Sequence, residues 1–315
     1  MNGTSAWIRR AALDEGFDVV GIAACGAAAT ADRLTDWLAA GRHGDMGYLA
    51  DTADQRGDPQ QLLDGCRSLV MVAISYRGSQ PDSDAAGGDG RVWISRYAWG
   101  RDYHRTVKKR LIRLGRALEQ RETGCRWRAV CDTAPLLERE WAARAGLGWI
   151  GKNTMLLNRR YGSELFLGAL LTDLELDADR PTTAHCGSCT ACLDACPTSA
   201  FVEPAVLDAR RCIGYLTVEH RGEIPDDLAP AMGDMVAGCD RCNEICPWTR
   251  RAPADLHPEF APAPHRYRPR LDLLEALDEA GWRDWRTGSA LNRIPFRQLR
   301  RSLVVARQNM RDDDS

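Results

Sequence analysis

Twelve cysteines constrain this 315-residue chain more than any other feature, and eight of them lie between positions 186 and 246. The first four are Cys186, Cys189, Cys192 and Cys196, followed by Pro197, in "CGSCTACLDACP". The second four are Cys212 and then Cys239, Cys242 and Cys246, with Pro247 closing "CDRCNEICP". Cys25, Cys66, Cys125 and Cys131 are scattered and read as ordinary core thiols. Thiols this dense could staple a secreted fold, hold zinc or build iron–sulfur clusters. A chain of this length with 44% apolar residues can bury a core without staples. Its N-terminus, "MNGTSAWIRRAALDEGFDVVGIAACG", breaks every apolar run with Arg or Asp, so no signal peptide, twin-Arg leader or membrane span is expected. The expected compartment is the cytoplasm, where thiols stay reduced and metal ligation becomes their leading use.

Two residues between successive thiols let them curl around the corners of a cube, and Pro after the last ends the turn. C-x2-C-x2-C-x3-C-P is the run of bacterial-type ferredoxins, whose fourth cysteine ligates the other cluster. On that crossing rule Cys186, Cys189, Cys192 and Cys246 hold one [4Fe-4S] cluster, and Cys196, Cys212, Cys239 and Cys242 the other. Structural zinc pairs two C-x2-C knuckles per ion, which leaves the third and fourth thiols of the run surplus. Two adjacent clusters imply electrons moving singly toward some further acceptor.

Before the cysteine block, helical spacing alternates with short apolar runs. Helices are predicted at 4–16, 31–40, 102–121 and 136–145, and strands at 17–23, 68–76, 126–131 and 163–172. The expected class is α+β, divided into residues 1–180, a cluster domain at 181–250 and a short helical extension at 251–315. That extension carries helical patterns at 271–280 and 294–307. The polar loop "RGSQPDSDAAGGDG" at 77–90 is expected to be mobile.

Net charge is −2, but residues 105–116 carry six basic side chains and no acid, and Trp282 to Arg311 holds eight Arg against Asp284 alone. With "HRYRPR" at 265–270 these runs suggest an anionic polymer partner, although a solvated helix face accounts for any one of them. "GLGWIG" at 146–151 matches G-x-G-x-x-G, but a helical stretch precedes it where a dinucleotide site needs a strand. "DYH" at 102–104 lacks the rest of a cobalt-ligand motif, so His104 is expected to make a helix-start contact.

"ISRYAWGRDYH" (94–104), "CDTAPLLEREWAARAGLGWIGKNTMLL" (131–157), "DARRCIGYLTVEHRGEIP" (208–225) and "GCDRCNEICPW" (238–248) closely resemble the epoxyqueuosine reductase family. The resemblance implies a cobalamin-binding domain akin to nitroreductase and reductive-dehalogenase cores, then a ferredoxin-like domain with two [4Fe-4S] clusters. It also implies reduction of the epoxide of epoxyqueuosine in tRNA, with electrons passing from the clusters to cobalamin. Asp132 is the implied proton donor, which would require burial to raise its carboxyl above the usual value near 3.9; an N-cap role for the helix near Pro135 is the alternative. Implied cobalamin contacts are Arg56, Ser95, Asp132, Lys152, Asn153, Leu156, Leu167 and Asp240, with Gly146, Gly148 and Gly151 letting backbone approach the corrin ring. The implied partners are a tRNA anticodon stem-loop and an unidentified electron donor; a monomer without membrane attachment is expected.

Two departures stand out: Thr249 replaces a common Asn, and "RRSL" at 300–303 replaces a usual Arg-Asn. The helical repeats that many members add are expected to be absent or vestigial. A corrinoid reductive dehalogenase shares these cofactors but usually carries a twin-Arg leader. A ferredoxin-type electron carrier leaves Asp132 and the long segment after it unexplained.

Overall fold

Eight consecutive residues, Ser68–Ser75, are all buried, which requires cover on both faces and places this strand at the centre of a sheet. A computed structural model describes residues 3–83, 89–254 and 257–313. Its strands are β1 (Val19–Ala24), β2 (Ser68–Ser75), β3 (Trp93–Ile94), β4 (Trp127–Val130), β5 (Trp149–Ile150), β6 (Leu156–Leu157), β7 (Leu165–Thr172), β8 (Phe201–Glu203), β9 (Val206–Leu207) and β10 (Met235–Ala237). β1, β2, β7 and β4 form one sheet in that order, with every neighbouring pair antiparallel.

Alternation along the strands sorts the core into two layers. Val70, Val72 and Ile74 join Phe166 and Leu170 against Ile8 and Ala12 of helix Gly3–Asp14 and against Val107, Leu111 and Leu114 of helix Tyr103–Arg121. Leu69, Met71 and Ala73 turn the other way and meet Trp141 and Ala142 of helix Glu138–Arg144. An antiparallel sheet with a helical layer on each face is the α+β architecture expected.

A second core ignores distance along the chain. Val92, Trp93 and Ile94 pack with Ile213 and Leu216, with Met235, Val236 and Ala237, and with Leu271, Leu274, Trp282, Leu291, Leu299 and Leu303 from the C-terminal helices. β3 and β10 pair in parallel at its centre.

The predicted 271–280 helix is interrupted. Helix Leu271–Glu275 stops, and helix Glu279–Arg286 starts at Asp278, whose side chain accepts the Gly281 N–H at 2.7 Å. The last helix runs Phe296–Asp313, beyond its predicted end. Residues 84–88 of the loop expected to be mobile lie outside the described residues, whereas Ser83 N donates to Glu244 at 3.0 Å, fixing the loop's first part. Among the described residues no helix is long and apolar enough to cross a membrane.

Candidate active site and cluster sites

The short helices Ala191–Asp194 and Arg241–Glu244 carry the third and the seventh clustered thiol, Cys192 and Cys242, each at their second residue, and they pack together. Burial, then repulsion from Cys246, Cys186 and Cys189, pushes the Cys192 thiol up to about 11. Burial, then Cys212 and Cys196, pushes Cys242 well above the ordinary thiol range; burial, then Cys242, does the same to Cys239, with Cys212 adding to it. Cys192 therefore faces Cys186, Cys189 and Cys246, while Cys242 faces Cys196, Cys212 and Cys239. Cys192 also acts on Cys242, so the two sets stand side by side.

Four crowded thiols resist deprotonation unless cations hold them as thiolates, and that is what iron supplies. Among the described residues no three His, Cys, Asp or Glu side chains are gathered as one metal ion would gather them. In a cube each thiolate binds its own iron, so the ligands stand farther apart than those of a single ion. N–H groups already point at two of the sulfurs: Trp149 Nε1 at Cys186 Sγ (3.4 Å) and Ala200 N at Cys196 Sγ (3.3 Å).

Asp132 follows directly on strand β4 at the apex of a three-residue turn. Thr133 N–H closes the turn on the Cys131 carbonyl at 2.6 Å, and Asp132 adopts φ +54°, a left-handed conformation that costs an Asp backbone energy. Glu138, from the following helix, accepts the Asp132 N–H at 2.8 Å and holds the turn. His104 Nε2 lies 3.0 Å from Asp132 Oδ2, and His104 Nδ1 lies 2.6 Å from Asp102 Oδ1. Asp102 also caps helix Tyr103–Arg121 by accepting the His104 N–H at 3.1 Å, so the helix-start contact expected for His104 is present.

The electrostatics follow from this chain of contacts. Burial opposes charge on His104, but bonds to Asp102 and Asp132 outweigh it and hold the imidazole up at about 9. Burial would raise the Asp132 carboxyl; the imidazolium and the Tyr103 hydroxyl outweigh it and keep it below the usual range. The expectation that Asp132 is raised is thus corrected, because its partner is a cation 3.0 Å away. The raised carboxyl is Glu138 instead, pushed to about 8 by burial and by the Asp132 charge. The Asp132 side chain is 40% exposed, so its carboxylate is open to solvent while His104 holds it, and Glu138 its backbone N–H, from the protein side.

Arg56 stands near Asp132: the charges of Tyr48, Asp132 and Glu138 all act on its guanidinium. Leu167 is the one half-exposed residue in otherwise buried β7, beside Cys131, whose thiol donates to the Leu167 carbonyl at 3.3 Å. Of the implied cobalamin contacts, Arg56, Leu167 and Asp132 are thus left partly open to a bound group. The remaining implied contacts turn their polar atoms into protein. Ser95 Oγ donates to Asp240 at 2.6 Å, and buried Asp240 also takes Trp93 Nε1 and Arg96 N. Lys152 Nζ donates to the Gly187 and Cys189 carbonyls at 2.8 and 2.9 Å, Asn153 Nδ2 to the Cys242 carbonyl at 3.1 Å, and Leu156 is buried in the sheet core.

The three glycines do not open toward a corrin. A Cβ on Gly146 would meet the Arg180 carbonyl, one on Gly148 the Leu157 carbonyl, and one on Gly151 the Leu157 and Asn153 side chains. Thr249, the departure from Asn, is fully buried with its hydroxyl accepting the Ser163 N–H at 3.1 Å. Sequence reasoning missed Glu138, Tyr48 and Arg293 as neighbours of Asp132. Only the proximity of "DYH" to a known cobalt motif drew attention to His104, and for a different role.

Residues 56–133 match the family described as "Epoxyqueuosine reductase QueG, DUF1730", and residues 185–249 match the "4Fe-4S double cluster binding domain". The chain is 45% identical over 309 residues to the epoxyqueuosine reductase of Gloeobacter violaceus, covering 96% of this chain and 95% of that one. It is 38% identical over 316 residues to that of Escherichia coli, covering 100% and 83%. Among solved structures, an epoxyqueuosine reductase from Streptococcus thermophilus superposes with a TM-score of 0.89 at 26% identity, covering 100% of this chain and 83% of that one. An epoxyqueuosine reductase crystallised with an epoxyqueuosine-modified tRNA-Tyr stem loop gives 0.87 at 29%, covering 98% and 82%. With identity of this order over nearly the whole chain, and family matches that span both the Asp132 turn and the thiol block, the chain belongs to the epoxyqueuosine reductase family.

Proposed function

We propose that this chain reduces the epoxide of epoxyqueuosine in a tRNA anticodon stem-loop to the alkene of queuosine, using two [4Fe-4S] clusters and cobalamin. The observation that carries the reading is one juxtaposition. The thiol block and the Asp132–His104 pair lie near one another, with Asp240 close enough to act on Cys242 and on Tyr97, and Asp132 on Tyr97 and Arg56. The relatives' names and the stem-loop bound by one of them support the substrate. We assign residues 1–180 to cobalamin binding, 181–250 to the clusters and 251–315 to an extension that brings Arg293 near Asp132.

Cys186, Cys189, Cys192 and Cys246 ligate one cluster and Cys196, Cys212, Cys239 and Cys242 the other. Lys152 and Asn153 fasten the loops that carry them. Arg56, Leu167 and Asp132 hold cobalamin, with Ser95, Asp240 and Leu156 forming the wall behind. Bound there, cobalamin supplies a reduced cobalt that is a strong nucleophile and one-electron relay.

The reaction takes two electrons and two protons: both epoxide C–O bonds break, the carbons form the alkene and the oxygen leaves as water. A carboxyl held below its usual range stores no proton at neutral pH. The first proton therefore resides on His104, whose Nε2–H points at Asp132, and passes through the Asp132 carboxylate to the departing oxygen; the second comes from solvent, to which Asp132 is open. Asp102 fixes the ring through Nδ1 and keeps it cationic.

The test is conversion of an epoxide-bearing anticodon stem-loop by reduced, cofactor-loaded protein, read by mass spectrometry as loss of one oxygen atom. Asp132→Asn should lower turnover about 100-fold or more; full turnover by that variant would remove Asp132 from the mechanism.

A further inference from the structure

Tyr48 is one of the few large apolar side chains left exposed, at 40%, and Arg293 lies over its ring with Cζ 5.3 Å from the centroid. Arg293 is bonded in turn to Glu219 at 2.7 Å. The Asp132 carboxylate acts on both Tyr48 and Arg293, so the pair stands near Asp132.

Both residues are rigidly mounted. Asp45 N donates to the Tyr215 hydroxyl at 2.7 Å, and the Asp45 carboxylate takes His220 Nδ1 at 2.8 Å and Arg221 N at 2.9 Å. Met46, the next residue but one before Tyr48, packs into the second core. Arg293 is displayed between Leu291 and Ile294, which are 0% and 1% exposed in that same core. Segments 245 residues apart in sequence, as the numbering of Tyr48 and Arg293 gives, thus build one ledge.

The chemistry of the ledge selects its occupant. Glu219 matches the charge of Arg293, so the pair offers little to a phosphate. What remains is a flat aromatic face backed by a guanidinium, which is how proteins receive an unstacked base. We propose that Tyr48, backed by Arg293, is the platform on which the nucleobase splayed from the RNA loop stacks, making it a positioning residue for the chemistry at Asp132. This rests on the tRNA reading above.

The experiment measures fluorescence anisotropy of a labelled, epoxide-bearing anticodon stem-loop on the cluster- and cobalamin-loaded protein, alongside turnover, corrin absorbance and melting temperature. Tyr48→Leu should weaken stem-loop binding and raise KM about tenfold with kcat little changed, while Tyr48→Phe and Tyr48→Trp, which keep an aromatic face, bind as wild type does. The inference is overturned if Tyr48→Leu binds as tightly as wild type, if Tyr48→Phe loses as much as Tyr48→Leu, or if Tyr48→Leu loses cobalamin instead of RNA affinity. A wild-type protein that neither binds nor converts the stem-loop overturns the functional reading and this inference together. A converting wild type with an unaffected Tyr48→Leu overturns this inference alone.

Discussion

Around Asp132 a strained turn, a carboxylate and an imidazolium are mutually dependent. The His104 pKa of about 9 lies above its ordinary value near 6.5. The stability this adds is fully present below about 6.5 and is lost as pH rises through about 9. Glu138 acts in the same direction, since its folded carboxyl, raised to about 8, stays neutral where an unfolded one would ionise. Melting temperature should therefore fall between pH 6.5 and 9.5, and turnover should fall over the upper part of that window as His104 loses its proton. His104→Gln should abolish the basic limb of the pH–rate profile while leaving cluster content intact; an unchanged limb would mean that His104 is not the proton store. Asp132 was legible in the sequence because it ends a strand inside a long family motif. Its partners were not, because His104 lies 28 positions earlier and Arg293 much later, and no local pattern links them.

At the scale of elements, short continuous apolar runs located the four sheet strands to within a residue or two, since a strand covered on both faces, such as Ser68–Ser75 or Leu165–Thr172, is apolar almost throughout. The glycines after helix Glu138–Arg144 were harder, because a glycine's purpose lies in whatever approaches it. Gly148 is there to let β5 pass against the Leu157 carbonyl, a backbone atom that cannot rotate away. Gly148→Ala should thus lower stability by about 1–3 kcal/mol in thermal or denaturant unfolding, the range for an overpacked site. A neutral result would show that the β5–β6 hairpin can open without cost. The 271–280 helix was misjudged because Asp278 competes successfully as a cap for the next helix, which Trp282 anchors in the core as Leu271 and Leu274 anchor the first.

For the whole molecule, charge along the sequence was a poor guide to charge on the surface. Arg266 donates to the Gly100 carbonyl and Arg301 to that of His220, fastening the extension to the rest of the molecule, while Arg266 to Thr287 and Arg286 to Asn292 brace the extension itself. Helix Tyr103–Arg121 instead keeps Arg105, Lys108, Lys109, Arg113 and Arg116 exposed. The thiol partition also makes a molecular prediction: Cys192→Ser and Cys246→Ser should perturb one paramagnetic signal of the reduced protein, and Cys212→Ser and Cys242→Ser the other, each removing about four irons. Mixed effects across the two groups would break the partition. The burial of the sulfurs is itself uneven. Cys189 is exposed, whereas Cys242, in the other set, is only partly so and feels the charge of Asp240. On the proposed cluster assignment an external carrier would therefore hand over electrons at the Cys189 edge of the first cube, and the second cube, on the Asp240 side, would pass them on toward Asp132.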